Sequence, residues 1–410
     1  MSERTQCVVV GGGPAGMMLG LLLARAGVEV TVLEKHPDFL RDFRGDTVHP
    51  STLRLLDELG LGERFAKLPA GRLEQMRIQI GTTTVVLADF RRIPGRHNYV
   101  AMVPQWDFLD LLASAAAEEP SFTLCMNSAV TGLLRDGDGR VVGVEYHDAD
   151  GAVRQLSAEL IVGCDGRRSI IRREAGLRTV DFAIPMDVWQ VRIPKGDTTR
   201  DGEVFGWFGD RQVAVTMDRG DYFQASYLIA KDTDERMRAE DVATFRARLA
   251  EMFGWSHEQV AAVRSWDDVK LLRTDMNRLR RWYGDGVLCI GDAAHTMSPV
   301  GGMGVNLAIQ DAVAAARILA EPLLRGRVTH QDLARVQRRR SLPTVVAQRS
   351  QRGEHAMLLE PALAGTLDEH RLPAPIRALR ASPALRGVSA YIGGIGIRPE
   401  HAPVFARRGH

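Results

Sequence analysis

Two glycine clusters in this chain have residue types and spacing suited to a ligand that carries phosphates. In "QCVVVGGGPAGMMLGLLLARAGVEVTVLEK", Gly11, Gly13 and Gly16 follow a short apolar run, and the acid Glu34 closes the next one, 23 residues after Gly11. Gly11 permits a tight turn, Gly13 lets a pyrophosphate reach the backbone, and Gly16 lets a helix lie close on a strand. Amides at a helix start favour phosphate, and Glu34 is placed to accept hydrogen bonds from a ribose. The strand, glycine turn, helix, strand and acid together point to dinucleotide binding. The second cluster, "GDAAHTMSPVGGMGVN" (291–306), contains Gly291, Gly301, Gly302 and Gly304 and one formally charged residue, Asp292. Glycine at that density costs conformational entropy. Either a strained turn or a ligand lying on the main chain must offset it.

The elements that would position these clusters follow from local pattern. Cys7–Val10 and Val28–Leu33 read as strands around a helix through Met17, Leu21 and Ala24. The uncharged stretch from Cys7 to Ala24 lacks a basic flank and is broken by glycines and Pro14, so it reads as a strand and turn rather than a membrane helix or leader. A helix begins near Pro104. Residues 128–164 alternate apolar and polar, with turns at "DGDG" (136–139) and "DADG" (148–151), which predicts an antiparallel three-stranded meander ending in "LIVGCDG". Asp165 and Gly166 then precede the basic helix "RRSIIRREAGL". Val287–Ile290 is a strand, and the second glycine cluster leads from it into a long helix.

Gly-x-Gly-x-x-Gly, then Cys-Asp-Gly, then Gly-Asp-Ala-Ala-His followed by Pro-x-Gly-Gly-x-Gly-x-Asn, in that order, resemble the group A FAD-dependent monooxygenases, the para-hydroxybenzoate hydroxylase-like aromatic hydroxylases. The resemblance covers residues 5 to 330. It implies an α/β fold: an FAD-binding Rossmann-like domain with an inserted β-meander, a β-sheet substrate domain and a C-terminal helical segment. It places Asp292 at the ribityl or pyrophosphate region and the backbone of Gly302, Met303, Gly304, Val305 and Asn306 at the pyrimidine edge of the flavin, with Pro299 and Gly301 near it. A helix N-terminus there suits the negative charge of the reduced ring. By the same resemblance Gly11, Gly13, Ala15, Gly16, Glu34, Lys35 and Asp165 serve the cofactor, Arg44 in "RDFRGDTVHP" approaches its ribityl or adenosine part, Gln105 contacts the flavin, and the Val130 amide meets adenine. For Arg44 an ion pair with Asp42 or Asp46 is the alternative. His295 reads as a packed structural group, and Met303 is a poor marker of mechanism.

Residues 179–270 change character. "MDVWQVRIPK", "EVFGWFG", "QVAVTMD" and "YFQASYLIA" read as strands, followed by the helix "EDVATFRARLAEMF", and the hairpin 74–90 is expected to join them. The expected organisation is FAD-binding domain 1–72, 99–178 and 271–330; substrate sheet 73–98 and 179–270; C-terminal segment 331–410. The resemblance makes the sheet a roof over the substrate. Trp189, Phe205, Trp207, Phe208, Tyr222 and Tyr227 are the candidate lining residues, of which period-2 alternation sends about half elsewhere. "WQVRIP" is similar to the Trp-x-Trp-x-Ile-Pro motif of flavin-dependent halogenases, but Val191 stands at the second tryptophan. The arginine-rich stretch after 331 reads as a solvated helix face with a packing or dimerisation segment.

The expected activity is an FAD-dependent monooxygenase that uses NAD(P)H and O2 to hydroxylate an aromatic, polyketide or quinone-like small molecule through a flavin C(4a)-hydroperoxide. NAD(P)H binds transiently across the domain cleft, since no second dinucleotide fold is visible. No catalytic side chain and no metal ligand is assigned, because the cofactor carries the chemistry. A halogenase or reductase of the same fold and a ligand-sequestering flavoprotein are the alternatives. With 410 residues, 45% hydrophobic, 25% charged and a net charge of +2, nucleic acid or a membrane is not an obligatory partner. Cys7, Cys125, Cys164 and Cys289 have no metal-ligand spacing and read as buried, reduced thiols of a cytoplasmic monomer or homodimer.

Overall fold

The computed structural model describes residues 3–40, 47–196 and 205–408. Its first sheet runs in the order Tyr283–Gly284, Val287–Cys289, Val153–Gly163, Glu3–Val10, Val30–Leu33, Phe122–Cys125. All but the first of these pairings are parallel. Strands covered on both faces need continuous apolar runs, and Cys7, Val8, Val9, Leu160, Ile161 and Val162 are fully buried. Val141–His147 and Ala129–Arg135 complete the expected meander on Val153–Gly163. Its turns close because Asp136 and Asp148 each accept amides two and four residues on.

The helix Pro14–Arg25 lies across the first sheet beside Met303–Leu324 and Gln105–Ala117. A Cβ on Gly16 would fall 1.9 Å from the Gly11 carbonyl oxygen, so only glycine allows this approach. Gly11 itself has φ +103°.

The second sheet has seven strands, in the order Lys270–Leu272, Met186–Pro194, Tyr222–Ala230, Gln212–Asp218, Phe205–Gly209, Gln75–Ile80, Thr83–Asp89. The 74–90 hairpin joins through a parallel pairing of Gln75–Ile80 with Phe205–Gly209. One face packs on the helix Val242–Phe253 through Trp189, Tyr227, Phe245 and Trp266. The Trp189 indole donates to Asp234 Oδ1 at 2.6 Å. Thr179–Phe182 stands apart from this sheet: it pairs with Met276–Leu279, which pairs with His295–Thr296.

The segment after 331 departs from the solvated face its arginines suggest. In the helix His330–Glu354, Leu333, Val336, Arg340, Thr344, Gln348 and Gln351 are buried, a stripe at helical spacing. It continues through a π-turn at His355–Leu359. Gln348 donates to the carbonyls of Asn277 and Thr296, and Gln351 to those of Ser298 and Val300. Arg340 donates to Asp311 Oδ1 at 2.8 Å, while Asp311 Oδ2 meets His295 Nε2 at 2.6 Å and accepts the Gly291 amide at 3.1 Å. Burial alone would raise the Asp311 carboxyl, but His295 and Arg340 together hold it below the usual range. His295 is thus a packed structural group. Cys7 and Cys289 are buried as expected, whereas Cys125 and Cys164 are only half-buried: Cys125 ends the edge strand Phe122–Cys125, and Cys164 follows the covered run of Val153–Gly163.

Arg340→Met leaves the buried Asp311 carboxylate without its guanidinium, and removing one partner of such a pair costs about 3–5 kcal/mol. Denaturant unfolding at neutral pH should show that loss, and a change below about 1 kcal/mol would mean the pair is dispensable. A second expectation concerns acid. Burial pushes His49 and His355 down to about 4, against about 6.5 for an exposed imidazole. The unfolded chain therefore binds protons that the folded one refuses. Their stabilisation is complete above about pH 6.5 and is lost as pH falls towards about 4. His355→Gln should flatten that acid limb, and a profile parallel to the wild type would show that His355 titrates normally.

Candidate functional site

The parallel strands end together: Val10 is paired with both Leu33 and Gly163, and Leu33 with Cys125. A crevice beyond the carboxyl ends of parallel strands is where open α/β sheets bind ligands. Here it widens into a cavity of about 1570 Å³ that continues under the second sheet. A small-molecule pocket is usually about 300–1,000 Å³, so this space suits a dinucleotide and a second ligand together.

At the first-sheet end, Gly11, Gly13 and Ala15 line the wall. The helix Pro14–Arg25 starts at Gly13 with no side chain capping it, so its first amides are left for a ligand. Nothing in the protein lies within 4 Å of a Cβ built on Gly13. Gly16 lies behind this wall and serves helix packing, not ligand contact. Glu34 and Lys35 line the next stretch. Glu34 is already oriented: Oε2 accepts the Gly12 amide at 2.8 Å and Oε1 the His36 amide at 3.1 Å. Oε1 also meets His36 Nδ1. Arg44 lies outside the described residues.

Val130, Gln105, Asp165 and Asp292 also line the cavity. Gln105 opens the helix Gln105–Ala117, which has no side-chain cap either. Asp165 is engaged within the chain: it accepts from Ser169 Oγ and from the amides of Ile170 and Ile171, starting the short helix Ile170–Glu174. Burial raises its carboxyl above the usual range despite those bonds. Asp292 faces Arg167 at 3.4 Å.

Pro299, Gly301, Gly302, Gly304 and Val305 form the floor below the second sheet. Gly301 and Gly302 have φ of +77° and +60°, and a Cβ on Gly302 would come 2.4 Å from Thr47 Oγ1. The opening alternatives are therefore divided between residues. Gly302 is demanded by the backbone whatever binds, while Gly304 has ordinary φ and its nearest Cβ neighbour at 3.8 Å. Met303 and Asn306 are absent from the cavity wall. Asn306 Oδ1 accepts the His49 amide and the Thr52 hydroxyl, and its Nδ2 donates to the Thr47 carbonyl. Its side chain ties the helix start to 47–52 and leaves only its backbone for a ligand.

Of the six candidate aromatics in the second sheet, Phe208 alone lines the cavity. Trp189 and Tyr227 sit on the opposite face, in the packing under Val242–Phe253. The lining face alternates instead through Val188 and Gln190, Val213, Val215 and Met217, and Gln224, Ser226 and Leu228. The wall missed by sequence reasoning is the C-terminal one, where Gly353, Glu354, Met357, Leu358 and Ile376 close the cavity opposite the sheet. The signal was the spacing Thr344, Gln348, Gln351, His355, hidden among arginines. Glu354 has its carboxyl raised by burial, with Ser350 Oγ as a hydrogen-bond donor.

A family model described as an FAD binding domain matches residues 4–350. A 6-methylpretetramide 4-monooxygenase of Streptomyces rimosus is 33% identical over 388 residues, covering 94% of this chain and 91% of that protein. An anhydrotetracycline monooxygenase of the same organism is 30% identical, and there the match covers 76% of this chain but only 61% of the relative. The solved OxyS anhydrotetracycline hydroxylase from Streptomyces rimosus superposes with a TM-score of 0.74 at 26% identity, covering 96% of this chain and 76% of that one. No described helix is long and apolar enough to cross a membrane. With a glycine-lined dinucleotide crevice opening under an apolar sheet, and with these matches over most of its length, the chain belongs to the FAD-binding-domain family of FAD-dependent monooxygenases.

Proposed function

We propose that the chain hydroxylates a planar, fused-ring aromatic of polyketide type, with NAD(P)H as reductant and O2 as oxygen donor, in the cytoplasm. The observation that carries this reading is the single continuous cavity, dinucleotide crevice at one end and apolar roof at the other. The relatives named for tetracycline-type substrates support the polyketide class.

The residues present fit FAD. The uncapped helix start at Gly13 would receive the pyrophosphate and Glu34 a ribose. Val130 would lie at the adenine, Gln105 and Asp292 along the ribityl chain, and the backbone of Gly301–Val305 against the ring system. Bound there, FAD supplies reduction by NAD(P)H and activation of O2. The chain's own task is placement. A third uncapped helix start, Met303–Leu324, offers amides to negative charge on the ring. Phe208, Val213, Leu228 and Leu358 present an apolar surface that excludes water from the reacting edge, which protects a reactive oxygen donor from wasteful decay. Val188 and Gln190 face the cavity where Trp189 and Val191 do not, and the one lysine in the described wall, Lys35, sits at the dinucleotide end. Halogenation is therefore the weaker reading.

Two measurements test these assignments. Gly13→Ala and Gly304→Ala should leave apoprotein stability within about 0.5 kcal/mol, because neither Cβ meets the protein closely, yet each should weaken FAD binding. Gly302→Ala should destabilise the apoprotein as well. Unchanged FAD affinity in both former variants would remove the cofactor from these glycines. For the reaction, fused-ring phenols should stimulate NAD(P)H oxidation with equal O2 uptake and hydroxylated product, independent of chloride or bromide. Ring-stimulated oxidation that consumes no O2, or a strict halide requirement, would overturn hydroxylation.

A further inference from the structure

The inner face of the second sheet is not uniformly apolar. Strand register aligns one row across five strands: Gln190 opposite Ser226, Ser226 opposite Val215, Val215 opposite Gly206, and Gly206 beside Ile78. All five line the cavity. The neighbouring row, Val188, Leu228, Val213, Phe208 and Ile80, is wholly apolar. Gln190 and Ser226 are each 8% exposed, and neither side chain has a hydrogen-bond partner among the described residues. Gln224, one register step away, differs: its Oε1 is taken by two nitrogens of Arg219.

Buried polar side chains are almost always hydrogen-bonded, and these two find no partner in the sheet. Their polar atoms are not sealed from the cavity, so they are satisfied from within it, whereas valine or leucine at both positions would cost the sheet nothing. Their shared outlet is the cavity. Glutamine presents a carbonyl acceptor beside an NH2 donor, and serine presents both functions on one oxygen. The matching surface is an edge that carries a donor next to an acceptor. Val215, the bare backbone of Gly206 and Ile78 continue the row as a flat, apolar shelf for the ring attached to that edge.

We infer that Gln190 and Ser226 form a polar specificity edge in the substrate pocket, selecting fused aromatics that carry a donor–acceptor pair, such as a carboxamide or a hydroxyl beside a carbonyl. The inference rests on the hydroxylase reading above and adds to it which substrates the roof accepts. A site built to bond such a group rejects the analogue that lacks it, whereas an apolar wall discriminates weakly.

The test uses the FAD-loaded protein and two isosteric probes, naphthalene-2-carboxamide and 2-isopropylnaphthalene, titrated by perturbation of the flavin absorbance. The ratio of the two affinities is the readout. Gln190→Met and Ser226→Ala should each shift that ratio about tenfold towards the hydrocarbon, the scale of one lost hydrogen bond. FAD content and thermal midpoint should stay those of the wild type. Gln190→Leu serves as a second truncation of the amide if the methionine variant folds poorly. An unchanged ratio in variants that hold FAD normally would overturn the specificity edge while leaving an aromatic site intact. Failure of the wild-type holoprotein to bind either naphthalene would overturn the edge and the aromatic reading together.

Discussion

The buried Asp311 carboxylate is the interaction on which the rest of the site depends. It lies on the helix whose start forms the cavity floor, and its two oxygens reach the Gly291 amide, His295 and Arg340. One side chain thus ties both ends of the 291–311 segment to the C-terminal helix. A buried charge in this position must stay paired, so the loop between them has little freedom. Gln348 and Gln351 then take up the Thr296, Ser298 and Val300 carbonyls in turn. The flavin-side loop is held by polar side chains on a neighbouring helix, since a loop with two left-handed glycines makes few ladder bonds of its own.

A loop fixed from behind is free to present backbone in front. The helices beginning at Pro14, Gln105 and Met303 all open towards the cavity, and none has a side-chain cap. Other helix starts do carry side-chain caps, Thr329 with Asp332, Ser256 with Gln259, and Ser169, although Gly62–Ala66 and Asp234–Arg238, away from the cavity, lack one as well. An uncapped start is weaker as a helix terminus and stronger as an anion site. These three uncapped starts give a nearly neutral chain oriented amides, rather than a cluster of lysines, to offer an anion in the cavity.

How much of this was legible in the sequence follows from the range of the interactions. Gly11, Gly13, Gly16 and Glu34 are constrained by one strand–helix–strand unit, so spacing alone located them, as it did the meander with its Asp-initiated turns. Gly302 was read as serving the ligand because the contact that forbids a side chain there, Thr47 Oγ1, comes from 255 residues away. The role of the Asn306 side chain was hidden for the same reason: its partners His49, Thr52 and Thr47 are distant in sequence. Among the sheet aromatics, size suggested pocket residues, but alternation decides facing, and the helix Val242–Phe253 claimed the face with Trp189 and Tyr227. The C-terminal stripe escaped because glutamines that hydrogen-bond carbonyls look like solvent-facing residues until their acceptors are known.

The two walls of the cavity obey different constraints. On the cofactor side, several positions are fixed by the backbone: a Cβ on Gly11 or Gly16 strikes backbone, and one on Gly302 the Thr47 hydroxyl. On the substrate side, Val188, Val213, Phe208, Met357 and Ile376 meet the cavity as side chains on strands and helices whose backbones are held elsewhere. Substitution there alters volume or polarity without breaking a turn. Cores tolerate such changes when patterning is kept. The physical consequence is that one half of the site is bound to a single ligand, while the other can be re-shaped residue by residue. In that setting a polar pair such as Gln190 and Ser226, placed where apolar residues would serve the sheet equally well, is most economically explained by what lies across the cavity from it.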